Sequence, residues 1–154
     1  MKKNFLLFLL IIVSLLLVTG CNNNNNTNNQ QENSIDVDNS NEVIKSVKAI
    51  INEKEYTINL ENNETANSFV NLLPQELNMS ELNGNEKYIY LDTTLPTNSS
   101  NPKRINAGDV MLYGDNCLVI FYKTFDTSYS YTRIGHIDNL PNLGNGNIKV
   151  KFEK

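Results

Sequence analysis

Gly108-Asp109-Val110-Met111-Leu112-Tyr113, then Gly114-Asp115-Asn116, then Cys117-Leu118-Val119-Ile120-Phe121-Tyr122 is the most legible stretch of the chain. Two apolar runs rich in β-branched and aromatic residues flank a Gly-Asp-Asn turn, which predicts an antiparallel hairpin. Leu118, Val119, Ile120 and Phe121 are apolar on both faces, so this strand reads as a central one covered from two sides.

Working outward, the punctuation is that of short strands and frequent turns. Val43 to Ile51 is rich in β-branched residues, Asn52-Glu53-Lys54 is a polar turn, and Tyr56, Ile58 and Leu60 alternate with Thr57, Asn59 and Glu61. This pattern predicts a second hairpin with one buried face. Ala66, Phe69, Val70 and Leu73 change the period to that of a helix, with Asn63 as its N-cap, Glu64 in the first turn and Pro74 as its stop. Further strands are expected at Met79 to Leu82, Tyr88 to Leu91, Tyr129 to Ile137 and Ile148 to Phe152, with a polar surface loop from Thr93 to Asn106. About eight short strands and one short helix make the fold class mainly β, a small closed or nearly closed barrel.

The chain opens differently. Met1-Lys2-Lys3-Asn4 is a cationic start and Phe5 to Val18 is apolar apart from Ser14, the pattern of a secretion signal. It ends in Leu17-Val18-Thr19-Gly20-Cys21, which resembles the bacterial lipobox. The resemblance implies that residues 1–20 are a lipoprotein signal peptide and that Cys21 becomes the acylated mature N-terminus. Two or three acyl chains there suffice for stable anchoring, each buried CH₂ contributing about 0.8 kcal/mol. The expected location is the extracytoplasmic face of a bacterial cell membrane, with lipid as a partner through Cys21. Residues 21–41, dominated by Asn, Gln, Ser and acids, read as a flexible spacer because they have little to bury. Residues 42–154 are the domain, about 110 residues and a common domain size.

Composition narrows the function classes. Lys+Arg 13 against Asp+Glu 17 gives a formal −4 with no basic block, which argues against nucleic acid as a partner. One His and two Cys leave no multi-His or Cys-rich metal site, and no motif calls for a cofactor.

Several motifs in order carry a family likeness: Asn63-Glu64-Thr65-Ala66, Leu73-Pro74, Leu77-Asn78-Met79-Ser80, Asn83-Gly84-Asn85-Glu86-Lys87-Tyr88, Ala107-Gly108-Asp109-Val110, Tyr113-Gly114-Asp115-Asn116 and Ser128-Tyr129-Ser130-Tyr131-Thr132-Arg133-Ile134-Gly135-His136-Ile137. From about Val43 onward the chain resembles the bacterial cyclophilin-like fold proteins. The resemblance implies a cyclophilin-type barrel with helix cover; related modules can be attached to flavodoxin-like domains. Cyclophilins proper isomerise X-Pro bonds with an arginine on a Phe-His-Arg strand and a Phe, Trp and His pocket. This chain has no Phe-His-Arg stretch and no Trp, and Arg104 and Arg133 stand in other contexts. The rotation barrier is about 18–20 kcal/mol, so lowering it needs a preorganised donor. A non-catalytic binding module is therefore the leading expectation, and a divergent prolyl isomerase for secreted proteins the alternative.

Tyr129, Tyr131 and Arg133 share one strand face at period two. An arginine flanked by phenols suits a carboxylate or the carbonyl of an extended peptide. The plainer reading has tyrosines covering the barrel rim with Arg133 packed over them. Tyr88, Tyr90 and Tyr122 complete the expected cleft wall. His136 falls on the opposite face unless Gly135 bulges the strand, and a lone His among apolar neighbours reads as structural. Cys117 reads as a buried, inert thiol, and Asp109 and Asp115 as turn residues.

Overall fold

The computed structural model describes residues 44–154. The expected signal peptide, Cys21 and the spacer lie outside the described residues.

Alternation of apolar and polar residues closes the sheet on itself. Its strands are β1 (Ser46–Ile51), β2 (Lys54–Leu60), β3 (Gln75–Leu82), β4 (Glu86–Tyr90), β6 (Asp109–Tyr113), β7 (Cys117–Phe121), β9 (Thr132–Ile137) and β10 (Ile148–Glu153). They form a closed barrel in the order β1-β10-β3-β4-β7-β6-β9-β2, every neighbouring pair antiparallel. The inward set includes Val47, Ala49 and Ile51 of β1, Val110 and Leu112 of β6, Leu118 and Ile120 of β7, and Val150 and Phe152 of β10, joined in one core. The hairpin expected at residues 43–61 turns at Asn52 and Glu53, both with positive φ, a conformation that suits a tight two-residue turn.

Helix α1 (Glu64–Asn71) is capped by Asn63, whose Oδ1 accepts the Ala66 N–H at 2.8 Å. The Asn63 amide also donates to the Arg133 carbonyl of β9 at 2.8 Å, tying the cap to the barrel wall. Ala66, Phe69 and Val70 enter the core, where the Phe69 ring meets Phe152 edge-on at 5.5 Å.

Three expectations need correction. Strand β3 begins at Gln75 rather than Met79, because Gln75 to Asn78 pair with β10 despite their polar character. The Tyr129–Ile137 strand starts at Thr132; Tyr131 forms only an isolated bridge with Ser100. The long polar loop is anchored rather than purely superficial. It buries Leu95 and Ile105, and its end, β5 (Arg104–Ile105), pairs with β8 (Phe125–Asp126) in a separate two-stranded sheet.

That attachment explains the two-sided burial of β7. While Leu118 and Ile120 face the barrel interior, Cys117, Val119 and Phe121 join Met111, Ile105 and Tyr131 in a second core outside it.

At one end of the interior sits a cation. Lys87 of β4 is 0% exposed, and its Nζ donates to the Glu81 carboxylate of β3 and to the carbonyls of Gly144 and Gly146, both at 2.6 Å. The ring of Tyr122 lies 4.9 Å from the same ammonium, and the Tyr122 hydroxyl donates to Glu81 Oε2 at 2.8 Å. Burial alone raises the Glu81 pKa, but the hydrogen bonds from Lys87, Tyr122 and the Gly84 N–H outweigh it and hold the carboxyl below its ordinary value. Removing one member of such a set leaves the others unpaired in a medium that cannot solvate them. Lys87→Met, similar in length but uncharged, is expected to lower unfolding free energy by about 3–5 kcal/mol in chemical denaturation.

Candidate functional site

The outward residues of β4 alternate with the buried Lys87 and with Ile89, so Glu86, Tyr88 and Tyr90 stand together on the outer surface. Strand β7 pairs with β4 through Tyr88↔Val119 and Tyr90↔Cys117, placing those two β7 residues beside the tyrosines. Next to them come Tyr113, the last residue of β6 and the partner of Cys117, and, from the segment before β9, Tyr129 and Tyr131. Together these groups line a cleft of about 300 Å³, completed by Leu82 and Asn83 of the β3–β4 hairpin. That volume lies at the lower bound for small-ligand pockets.

The walls are two nearly perpendicular ring pairs. Tyr88 and Tyr90 have centroids 6.0 Å apart at 84°, and Tyr113 and Tyr129 are 6.1 Å apart at 88°. Tyr131, buried in the outer core, backs Tyr113 at 5.5 Å. Tyr90 is 63% exposed, Tyr129 60% and Tyr113 45%.

Glu86 is the single formally charged side chain on the lining. Burial, with the Glu81 charge second, pushes its carboxyl up to about 7. Cys117 is pushed up to about 11, by burial first and then by Glu86. The thiol is therefore protonated at neutral pH and a poor nucleophile. Burial and Glu86 also raise Tyr131.

The structure separates the sequence-derived candidates into three places. Tyr88, Tyr90, Tyr129 and Tyr131 meet in the cleft. Tyr122 lies in the barrel interior, where burial foremost and its bond to Glu81 push the phenol up to about 12; its parity along the chain matches Leu118 and Ile120. Arg133 and His136 stand at another place on the wall, around Asp109. There the β6–β9 register slips by one residue, Val110 opposing Gly135 and Met111 opposing Arg133. This bulge brings His136 round to the side of Arg133. Arg133 Nη1 lies 3.5 Å from Asp109 Oδ1 and His136 Nδ1 lies 3.1 Å from it, while the Asn106 N–H donates to Asp109 Oδ2 at 2.9 Å. Asp109, read as a turn residue, thus holds a turn together and joins the Arg133 and His136 side chains at one carboxylate. Arg133 is set against this carboxylate rather than against a tyrosine ring. Two close approaches explain the glycines there. A Cβ on Gly135 would lie 2.5 Å from the Asn59 carbonyl oxygen, and one on Gly108, at φ +100°, 2.2 Å from that of Ile137.

Sequence reasoning missed Glu86, Lys87 and Tyr113. The alternation that sets Tyr88 and Tyr90 against Ile89 carries the signal for the first two, since it assigns Glu86 to the tyrosine side and Lys87 to the apolar side. Tyr113 is announced only by three-dimensional proximity to Tyr129. Among the described residues no group of three or more His, Cys, Asp or Glu is placed to hold a metal ion.

A barrel of this topology agrees with what a family comparison finds: residues 49–153 match the cyclophilin-like family. The chain belongs to that family. No curated protein and no solved structure matches it. The cyclophilin-like barrel therefore supplies the scaffold, and the cleft must be read from its own side chains.

Two measurements follow. The folded state holds the Glu86 proton more tightly than the unfolded chain, so its contribution to stability falls as pH rises from about 4.5 to about 7 and is constant above. Glu86→Gln should match the parent at pH 4 and exceed it by about 1–3 kcal/mol at pH 8 in denaturant titrations. Cys117 should react with a thiol reagent far more slowly than a free cysteine at pH 7.5, its rate still rising above pH 9.

Proposed function

We propose that this chain is a lipid-anchored, non-catalytic binding module on the extracytoplasmic face of a bacterial membrane, whose tyrosine cleft receives an extended peptide segment of a partner protein. One observation carries the reading. Among the described residues the exposed large apolar side chains are Ile44, Leu82, Tyr90, Tyr113 and Tyr129, and four of these five converge on the cleft. Contiguous exposed apolar surface marks interaction sites, and tyrosine, with its apolar body and polar tip, is favoured there.

The anchoring part of the proposal rests on Leu17 to Cys21. The non-catalytic part is supported by the chemistry at hand. Lowering the X-Pro barrier needs a donor aimed at the amide, whereas the Arg133 guanidinium already faces Asp109 and the cleft lining carries a carboxylate as its charged group.

Cys21→Ser should move the protein from the membrane fraction to the soluble one and end labelling by radioactive palmitate. In a protease-coupled assay on proline peptides, the full-length protein in nonionic detergent should leave the isomerisation rate at background. Calorimetry with a panel of extended peptides should give binding that Tyr90→Leu weakens; a rate above background would favour a divergent isomerase instead.

A further inference from the structure

The cleft has a sign as well as a shape. The face of a tyrosine ring carries the negative part of its quadrupole, and in the Tyr88–Tyr90 and Tyr113–Tyr129 pairs the edge of one ring meets the face of the other at near right angles. Beside them the Glu86 carboxylate is the charged group of the lining. Glu81, on the neighbouring strand, is a second acid whose field reaches Glu86. Lys87, next to Glu86 in sequence, points the other way, into the barrel, and is taken up by Glu81 and two carbonyls. An anionic ligand would meet aromatic faces and a carboxylate, both repulsive. A neutral apolar ligand would make no use of Glu86, whose carboxyl takes up a proton when its surroundings exclude water and offer no cation. A cation with apolar substituents answers both features, gaining cation–π contact with the rings and an ion pair with the acid.

We propose that the cleft is a receptor for a substituted ammonium group, such as the end of a lysine side chain, held between the tyrosine rings and Glu86. The inference rests on the reading of the cleft as the binding site and specifies what that site selects. Recognition then comes from charge and ring faces together. A guest of the same shape without charge loses the larger share of the interaction.

The test is calorimetry, with tyrosine fluorescence as a second signal because the chain has no Trp, on the full-length protein in a nonionic detergent. The probes are tetramethylammonium, an uncharged alcohol of similar shape (2,2-dimethylpropan-1-ol), 3,3-dimethylbutyrate, and two end-capped extended peptides differing only by lysine or norleucine at the centre. Tetramethylammonium and the lysine peptide should bind, with Glu86→Gln and Tyr90→Leu each weakening them by roughly tenfold, while the alcohol and the carboxylate do not. A lysine peptide that outbinds the free cation assigns the group to a polypeptide, and the reverse order to a small organic cation; either order supports the ammonium site. If the norleucine and lysine peptides bind equally and the parent and Glu86→Gln proteins do not differ, the ammonium inference is overturned while the peptide-binding reading stands. If no probe binds, both fall.

Discussion

The ammonium of Lys87 is the constraint on which the outer surface depends. A cation with no solvent contact is tolerable only where every donor finds an acceptor, and here Glu81, Gly144 and Gly146 supply them from two other parts of the chain. The requirement fixes which way β4 faces. A one-residue slip would send Lys87 outward and drive Glu86 and Tyr88 into the barrel. The internal ion pair and the external aromatic cleft are consequently two sides of one strand.

The second constraint is the outer core built on β6 and β7. Isolated tyrosines on a barrel wall would lie flat against it and make no recess. The two segments carrying β5 and β8, on either side of the β6–β7 hairpin, instead pack Ile105, Phe125 and Tyr131 against Met111, Val119 and Phe121, raising a wall beside the sheet. Tyr129 stands at its edge and meets Tyr113 edge-on, the two rings forming one side of the opening. The bulge in β9 then divides the outer surface: aromatic residues gather at one place, and Asp109 with Arg133 and His136 at another. The latter cluster is largely satisfied within itself, whereas the exposed rings of the cleft have no such partners in the fold.

Much of the fold is legible in the sequence because its signals are local. The Gly114-Asp115-Asn116 turn, the alternation around Ile58 and the Asn63 cap each follow from a few adjacent residues, and each is found. The apolar run Leu118 to Phe121 also announces cover on two sides. What covers the outer side is not legible, because Ile105 and Phe125 are single apolar anchors inside polar stretches and form strands of only two residues. The site is half legible for a related reason. Tyr88, Tyr90, Tyr129 and Tyr131 stand out by type and spacing, but their association with Tyr113 arises from packing of segments distant in the chain. Tyr122 shows the opposite failure: as an aromatic residue it looks like a wall of the cleft, yet strand parity puts it inside. Arg133 and His136 are joined by a bulge that no spacing rule reveals without its partner strand.

Closure of the barrel has a consequence for recognition. Each of its eight strands already has a hydrogen-bonded neighbour on both sides, so a visiting polypeptide finds no vacant ladder along that wall to join. Whatever docks on the outer face must do so through the chemistry of its side groups, and the main-chain bonds that make strand addition indifferent to residue identity contribute little there. Such a surface reads composition rather than conformation, and it would release a guest as soon as the one or two groups it grips are altered.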